Sequence, residues 1–219
     1  MGAEQRLARW TALAGVGFFV LFVVGFLLTG DNPDETTSGT KVVSYYKDHR
    51  GRELVAFVLM TIGLVLLVFF AGRVRSVLRE AEPGGELLSA IFFGGVIVLT
   101  AGALVGGAIH FALIDAADKG QVAVAHTLNV LDNNDFAPIA AGIAILLLAA
   151  GIATVLSPVL PRWLGWASIV IGVLNLTPLG FIFSLLAVVW VLVVSILLAG
   201  GRGATRASTA PQSSATGRG

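Results

Sequence analysis

From Trp163 to Ala199 the chain runs for 37 residues without one charged side chain. A helix rises about 1.5 Å per residue and a bilayer's hydrocarbon core is about 30 Å thick, so one crossing takes roughly 20 apolar residues. As continuous helix the run would reach about 55 Å, nearly two crossings. Within it "NLTPLGF", Asn175 to Phe181, supplies a proline and a glycine where a tight turn is needed. The run therefore divides into two spans, about residues 163–177 and 180–199.

Four more apolar runs precede it, at about residues 10–29, 54–72, 87–114 and 136–156. Arg6 and Arg9 ahead of the first would also suit a signal peptide. Its apolar stretch is too long for a signal core, however, and only "LLTGD" follows, with no small-residue cleavage site. It reads as an uncleaved span. The third run would be about 42 Å long as helix, so it must tilt or protrude. Pro158 and Pro161 close the fourth. The expected fold is all-α: a polytopic membrane helical bundle of six transmembrane helices filling residues 1–200. The Gly-, Ser-, Thr- and Ala-rich residues 201–219 are expected to form a disordered cytoplasmic tail.

Composition agrees and excludes several classes. Of 219 residues, 56% are hydrophobic and 12% charged, which asks for a bilayer rather than one large soluble core. A net charge of +1 offers no basic surplus for nucleic acid. With no cysteine there is no disulfide, thiolate metal site, iron–sulfur cluster, cysteine nucleophile or lipoprotein anchor. With the N-terminus inside, nine lysines and arginines fall in cytoplasmic pieces and five in outer ones, which favours both termini in the cytoplasm.

Both long loops then lie outside, and each reads as a short amphipathic helix. In "SGTKVVSYYKDHRGRE", Val42, Tyr46 and His49 fall on one face, and Gly51 ends the segment. In the second loop Val124, Leu128 and Leu131 form an apolar stripe, with His126, Asn129 and Asn133 on another face. Asp118 with Gln121 resembles a capping box. Asn134 or Asp135 fits an N-cap for the fourth span, with Pro138 in its first turn.

His49, His110 and His126 share the expected outer side with Asp48, Asp115, Asp118 and Asp132. Imidazole and carboxylate together can hold a metal or sense pH. No ligand spacing is present, so the three histidines are read as interfacial residues that never meet. His110 and Asp115 form an H-x4-D string that resembles the glycerolipid acyltransferase signature, but residues five apart on a helix do not face each other and the other signature blocks are missing. No span carries Asp, Glu, Lys or Arg at its apolar centre, where ion and proton paths would need them. Thr61, Thr100, Thr154, Ser168, Asn175, Ser184 and Ser195 are expected to bond their own or neighbouring helices. Gly102 and Gly106 form G-x-x-x-G in the third span, a face for close packing within the bundle.

"YYKDHRGREL", "LPRWLGW" and "TPLGF" together resemble a family of bacterial, especially actinobacterial, multi-pass membrane proteins classed under a domain of unknown function. The resemblance covers most of residues 36–200. It implies six spans and a plasma-membrane location, and it brings no catalytic residue.

The function expected is that of a non-enzymatic membrane module binding a partner protein or a lipid. A small carrier for an apolar or amphiphilic solute is the alternative, and a lipid-modifying enzyme the third reading. No catalytic, cofactor-binding or metal residue is assigned. The expected partners are the lipid bilayer and either a membrane protein or a second copy of the chain, with no nucleic acid. The expected location is the plasma (inner) membrane with both termini cytoplasmic.

Overall fold

The computed structural model describes residues 3–80, 85–157 and 160–200. Within them lie seven helices and no strand: α1 (Ala3–Thr29), α2 (Gly39–Glu80), α3 (Gly85–Asp118), α4 (Val122–Asp132), α5 (Phe136–Leu156), α6 (Arg162–Leu174) and α7 (Gly180–Ala199). The expected disordered tail at 201–219 and Pro158 lie outside the described residues. The chain is a helical membrane bundle, with five helical segments long and apolar enough to cross a bilayer. α6 has 13 residues, about 20 Å of helix, so its length alone does not carry it across a ~30 Å core. It stops at Leu174, and a turn through Asn175 to Leu179 leads into α7 at the break the sequence marked.

One of the two expected outer helices does not exist as a separate element. Residues 41–51 run unbroken into the second span as part of α2, whose 42 residues make about 63 Å of helix. Gly51 is exposed and does not stop the helix. An interior glycine costs only about 1 kcal/mol, less than burying Val42 and Tyr46 on the same helix stabilises.

Of the expected caps, only Asp135 holds its position, and none makes a side-chain cap bond. α3 ends in a left-handed Gly120, φ 71°, where Gln121 N–H donates to Ala116 O at 3.0 Å and Gly120 N–H to Ala117 O at 2.9 Å. This pair of bonds satisfies the terminal carbonyls. Asp118 is therefore the last residue of α3, and Gln121, ahead of α4, makes no side-chain cap bond. Asp135 holds the N-cap position of α5, again without a side-chain cap bond, while Asn134 Nδ2 donates to Val130 O and to Glu35. Tertiary partners have taken the side chains of Asp118, which pairs with Arg50, and of Asn134.

α1 packs on α2 and α7, α2 on α3, α3 on α5, and α5 on α7, which closes a ring. α6 packs on α5 and α7, and α4 lies across α2 and α3 at one end. Glycines let α3 and α5 approach closely. A Cβ on Gly95 would lie 2.6 Å from Leu146 N, and one on Gly142 would run into the Leu99 backbone. Gly102 faces Pro138 and Ile139 of α5, so the G-x-x-x-G face is used inside the chain. The core joins Phe18, Leu67, Phe70, Phe92, Leu147, Trp190 and Val194 from five helices. Most polar groups of the spans bond as expected: Thr154 to Ala150 O, Ser168 to Leu164 O, Asn175 to Ala140 O, Ser184 to Asn175 and Ser195 to Ala12 O.

Candidate functional site

α4 and the loop joining α1 to α2 form a cap over one end of the ring. Asparagine amides stitch the two together. Asn129 Nδ2 donates to Asp34 O at 2.8 Å, Asn133 Nδ2 to Pro33 O at 3.2 Å, and Asn134 Nδ2 to Glu35 Oε2 at 3.0 Å. In the loop the hydroxyls of Thr36 and Thr37 donate to the Asp34 carboxylate, which holds that carboxyl below its usual range. The stripes expected on α4 do not sort cleanly into buried and exposed: Leu128 packs on the core, but so does the Asn129 side of the helix. Ala125 and Asn129 are buried, while Val124 and Leu131 are each 48% exposed. Asn129 turns inward because its amide supplies a donor to the loop carbonyl of Asp34.

Beneath the cap, charged groups from three helices converge. Glu53 of α2 is fully buried. Its Oε1 lies 3.1 Å from Arg52 Nη2, and its Oε2 lies 3.5 Å from Nε2 of His110 on α3. The other ring nitrogen of His110, Nδ1, lies 2.9 Å from Oδ2 of Asp132 on α4. Arg52 Nη2 also donates to the Tyr45 hydroxyl at 2.6 Å and to Thr29 O, at the end of α1, at 3.0 Å. Tyr46 meets the His110 ring edge-on at 5.6 Å. Pairing is what makes burial of these charges tolerable.

The three histidines, expected never to meet, have separate partners, and what the sequence did not suggest is the pairing of His110. His110 sits between two carboxylates. His49 instead bonds Tyr45 O at 2.9 Å and lies against the Tyr45 ring, and His126 of α4 packs beside Gly39 of α2. Asp115 pairs with Lys119 and Asp118 with Arg50, so the H-x4-D string does not form a dyad. Among the described residues no three His, Cys, Asp or Glu side chains are arranged to hold a metal ion. Glu53 was missed in the sequence because it sits at the edge of a span beside Arg52. The signal was present: Val42, Tyr46 and Glu53 continue one helical face, and one more turn of that stripe places an acid where burial is expected.

Two adjoining cavities lie below this cluster. The deeper one, a chamber of about 250 Å³, is walled by all five helices of the ring, among them Phe18, Phe70, Phe92, Leu146, Trp190 and Val191, with Ser184 its one hydroxyl. The second, a vestibule of about 260 Å³, lies toward the cap. Phe22, Phe57, Met60 and Leu104 line it on the apolar side, and Thr29, Asn32, His110, Asp132 and Asp135 on the polar side. The two share Phe22, Leu64, Ala103 and Ile139 as walls. Together they reach the size of small-molecule sites, roughly 300–1,000 Å³. Gly106 faces the Asp135 carboxylate, and its lack of a side chain leaves room for that group in the vestibule wall.

Comparison with protein-family models, with curated proteins and with solved structures found no match to this chain.

Proposed function

We propose that this chain binds one lipid-like amphiphile, with its apolar chain in the chamber and its polar head in the vestibule, and that it acts without catalysing a reaction. One observation carries the reading: the two cavities adjoin, and the charged side chains that line them, His110, Asp132 and Asp135, lie at the cap end. A hydrocarbon chain leaves bilayer for an equally apolar wall, so seating it there costs little. A polar head leaving the headgroup region needs replacement partners, and the cap end offers them. This narrows the partner of the membrane module to a lipid. The carrier reading is less well supported, because a carrier needs a polar path at both ends and the charged groups gather at one.

The membrane we propose is a bacterial plasma membrane crossed several times, with the cap outside and both termini in the cytoplasm, on the lysine and arginine bias and the resemblance given above. The test is native mass spectrometry of the protein released from detergent. A stoichiometric adduct of lipid mass that persists after repeated delipidation supports the proposal. Bare protein under conditions that keep the bundle folded would count against it.

A further inference from the structure

The identity of the head group deepens this reading and rests on it. Selection falls on the head, since the chain exchanges one apolar surrounding for another. The charges around the vestibule do not balance. Three carboxylates, Glu53, Asp132 and Asp135, meet two cations, Arg52 and His110, even with His110 counted as charged. Glu53 and Asp132 are engaged by those cations. Asp135 is not: among the described residues no ion pair and no side-chain hydrogen bond reaches it. It is half-buried in the vestibule wall, where an unpaired carboxylate is costly.

Two further observations have the same sign. Glu53 is fully buried, and its Oε2 has no hydrogen-bond partner although it is aimed at the His110 ring that walls the vestibule. The adjoining loop, bonded at Glu35 to Asn134 just after α4, holds Asp31, Asp34 and Glu35 and no lysine or arginine from 30 to 38. Phe22 and Phe57 complete the wall with aromatic rings, which attract cations. We infer that the vestibule takes the cationic head of a single-chain amphiphile, an amine or quaternary ammonium seated against Asp135 and Asp132 with Phe22 and Phe57 beside it. Its positive charge supplies the partner that Asp135 lacks.

Trp190 lines the chamber, whereas Trp10, Trp163 and Trp166, the other three of the four tryptophans, are 72%, 61% and 59% exposed. Changing those three to Phe leaves Trp190 as the reporter. The full chain, in phosphatidylcholine nanodiscs, is titrated with three probes of one chain length brominated on the chain: an alkyltrimethylammonium, an uncharged alkyl glycoside and an alkyl sulfate. Concentrations are expressed as mole fraction in the disc. The ammonium probe should half-quench Trp190 at a mole fraction about tenfold below the glycoside, the size of one charge-assisted contact. Asp135→Asn, which removes no capping bond, should abolish that preference, and Asp135→Glu should keep it. Equal midpoints for ammonium and glycoside, a preference for the sulfate, or a preference that survives Asp135→Asn in folded protein would overturn the inference and leave amphiphile binding standing. Absence of quenching by all three would overturn amphiphile binding itself. The ranking of the probes on the chain that keeps Asp135 decides the sign of the head without any change at that residue.

Discussion

Nδ1 of His110 lies 2.9 Å from Oδ2 of Asp132, and this contact ties α3 to the capping helix α4 across 22 residues of sequence. Both side chains are mostly buried, at 15% and 17% exposure, so water does not readily replace either partner. In a double-mutant cycle with His110→Ala and Asp132→Ala, unfolding free energies should show a coupling of about 0.5–3 kcal/mol. Effects that simply add would mean that the cap is held by its asparagines alone.

Glu53→Gln keeps the side-chain volume and removes the charge that faces Arg52 and His110. Breaking a buried ion pair costs about 3–5 kcal/mol, because the partner charges stay behind uncompensated. Asp115→Asn breaks only the exposed pair with Lys119, 48% and 58% exposed, and should cost about 0–1 kcal/mol. Denaturant unfolding of the two variants side by side checks the order. Equal losses would contradict the role assigned to the buried cluster.

Gly94 and Gly95 are adjacent on α3, and only Gly95 should lose stability on replacement by alanine. Nothing lies within 4 Å of a Cβ built on Gly94, whereas one on Gly95 meets Leu146 N at 2.6 Å. Gly95→Ala should lower stability by about 1–3 kcal/mol through overpacking of α3 on α5. Gly94→Ala should be neutral or stabilise by up to about 1 kcal/mol through helix propensity. Melting temperatures of both variants in one detergent give the comparison.

Ser44 and Ser76 are exposed near opposite ends of α2, 32 residues and about 48 Å apart along one helix. Single cysteines placed there in this cysteine-free chain should label from outside intact cells at position 44 and not at 76. Labelling only at 76 would invert the proposed orientation and put the cap inside.

The bundle was legible because a bilayer imposes one rule on every span, a run of about 20 apolar residues, and "NLTPLGF" broke the longest run with a recognisable turn. What was not legible depends on contacts between distant segments. Gly51 looked like a helix end, yet α2 continues because Val42 and Tyr46 bury themselves against α3 and α4. Asp135 looked like a cap, yet its carboxylate lies beside Gly106 in the vestibule wall. Asn129 read as part of a polar stripe on α4, yet it is buried and bonds Asp34 O. His110 and Glu53 lie 57 residues apart in sequence, and no local spacing pairs them.

The measurement that bears most directly on amphiphile binding is photo-crosslinking in native membrane with an alkylammonium carrying a diazirine near the end of its chain, followed by peptide mapping. The chain end should mark the chamber walls at Val96, Leu146 and Val191, which are 2%, 5% and 6% exposed. Those adducts should exceed the ones on Phe69 and Val105, which face outward at 60% and 61% exposure. Adducts confined to the outward-facing residues would mean that the bundle meets such molecules only as surrounding lipid, and the chamber would not be a binding site.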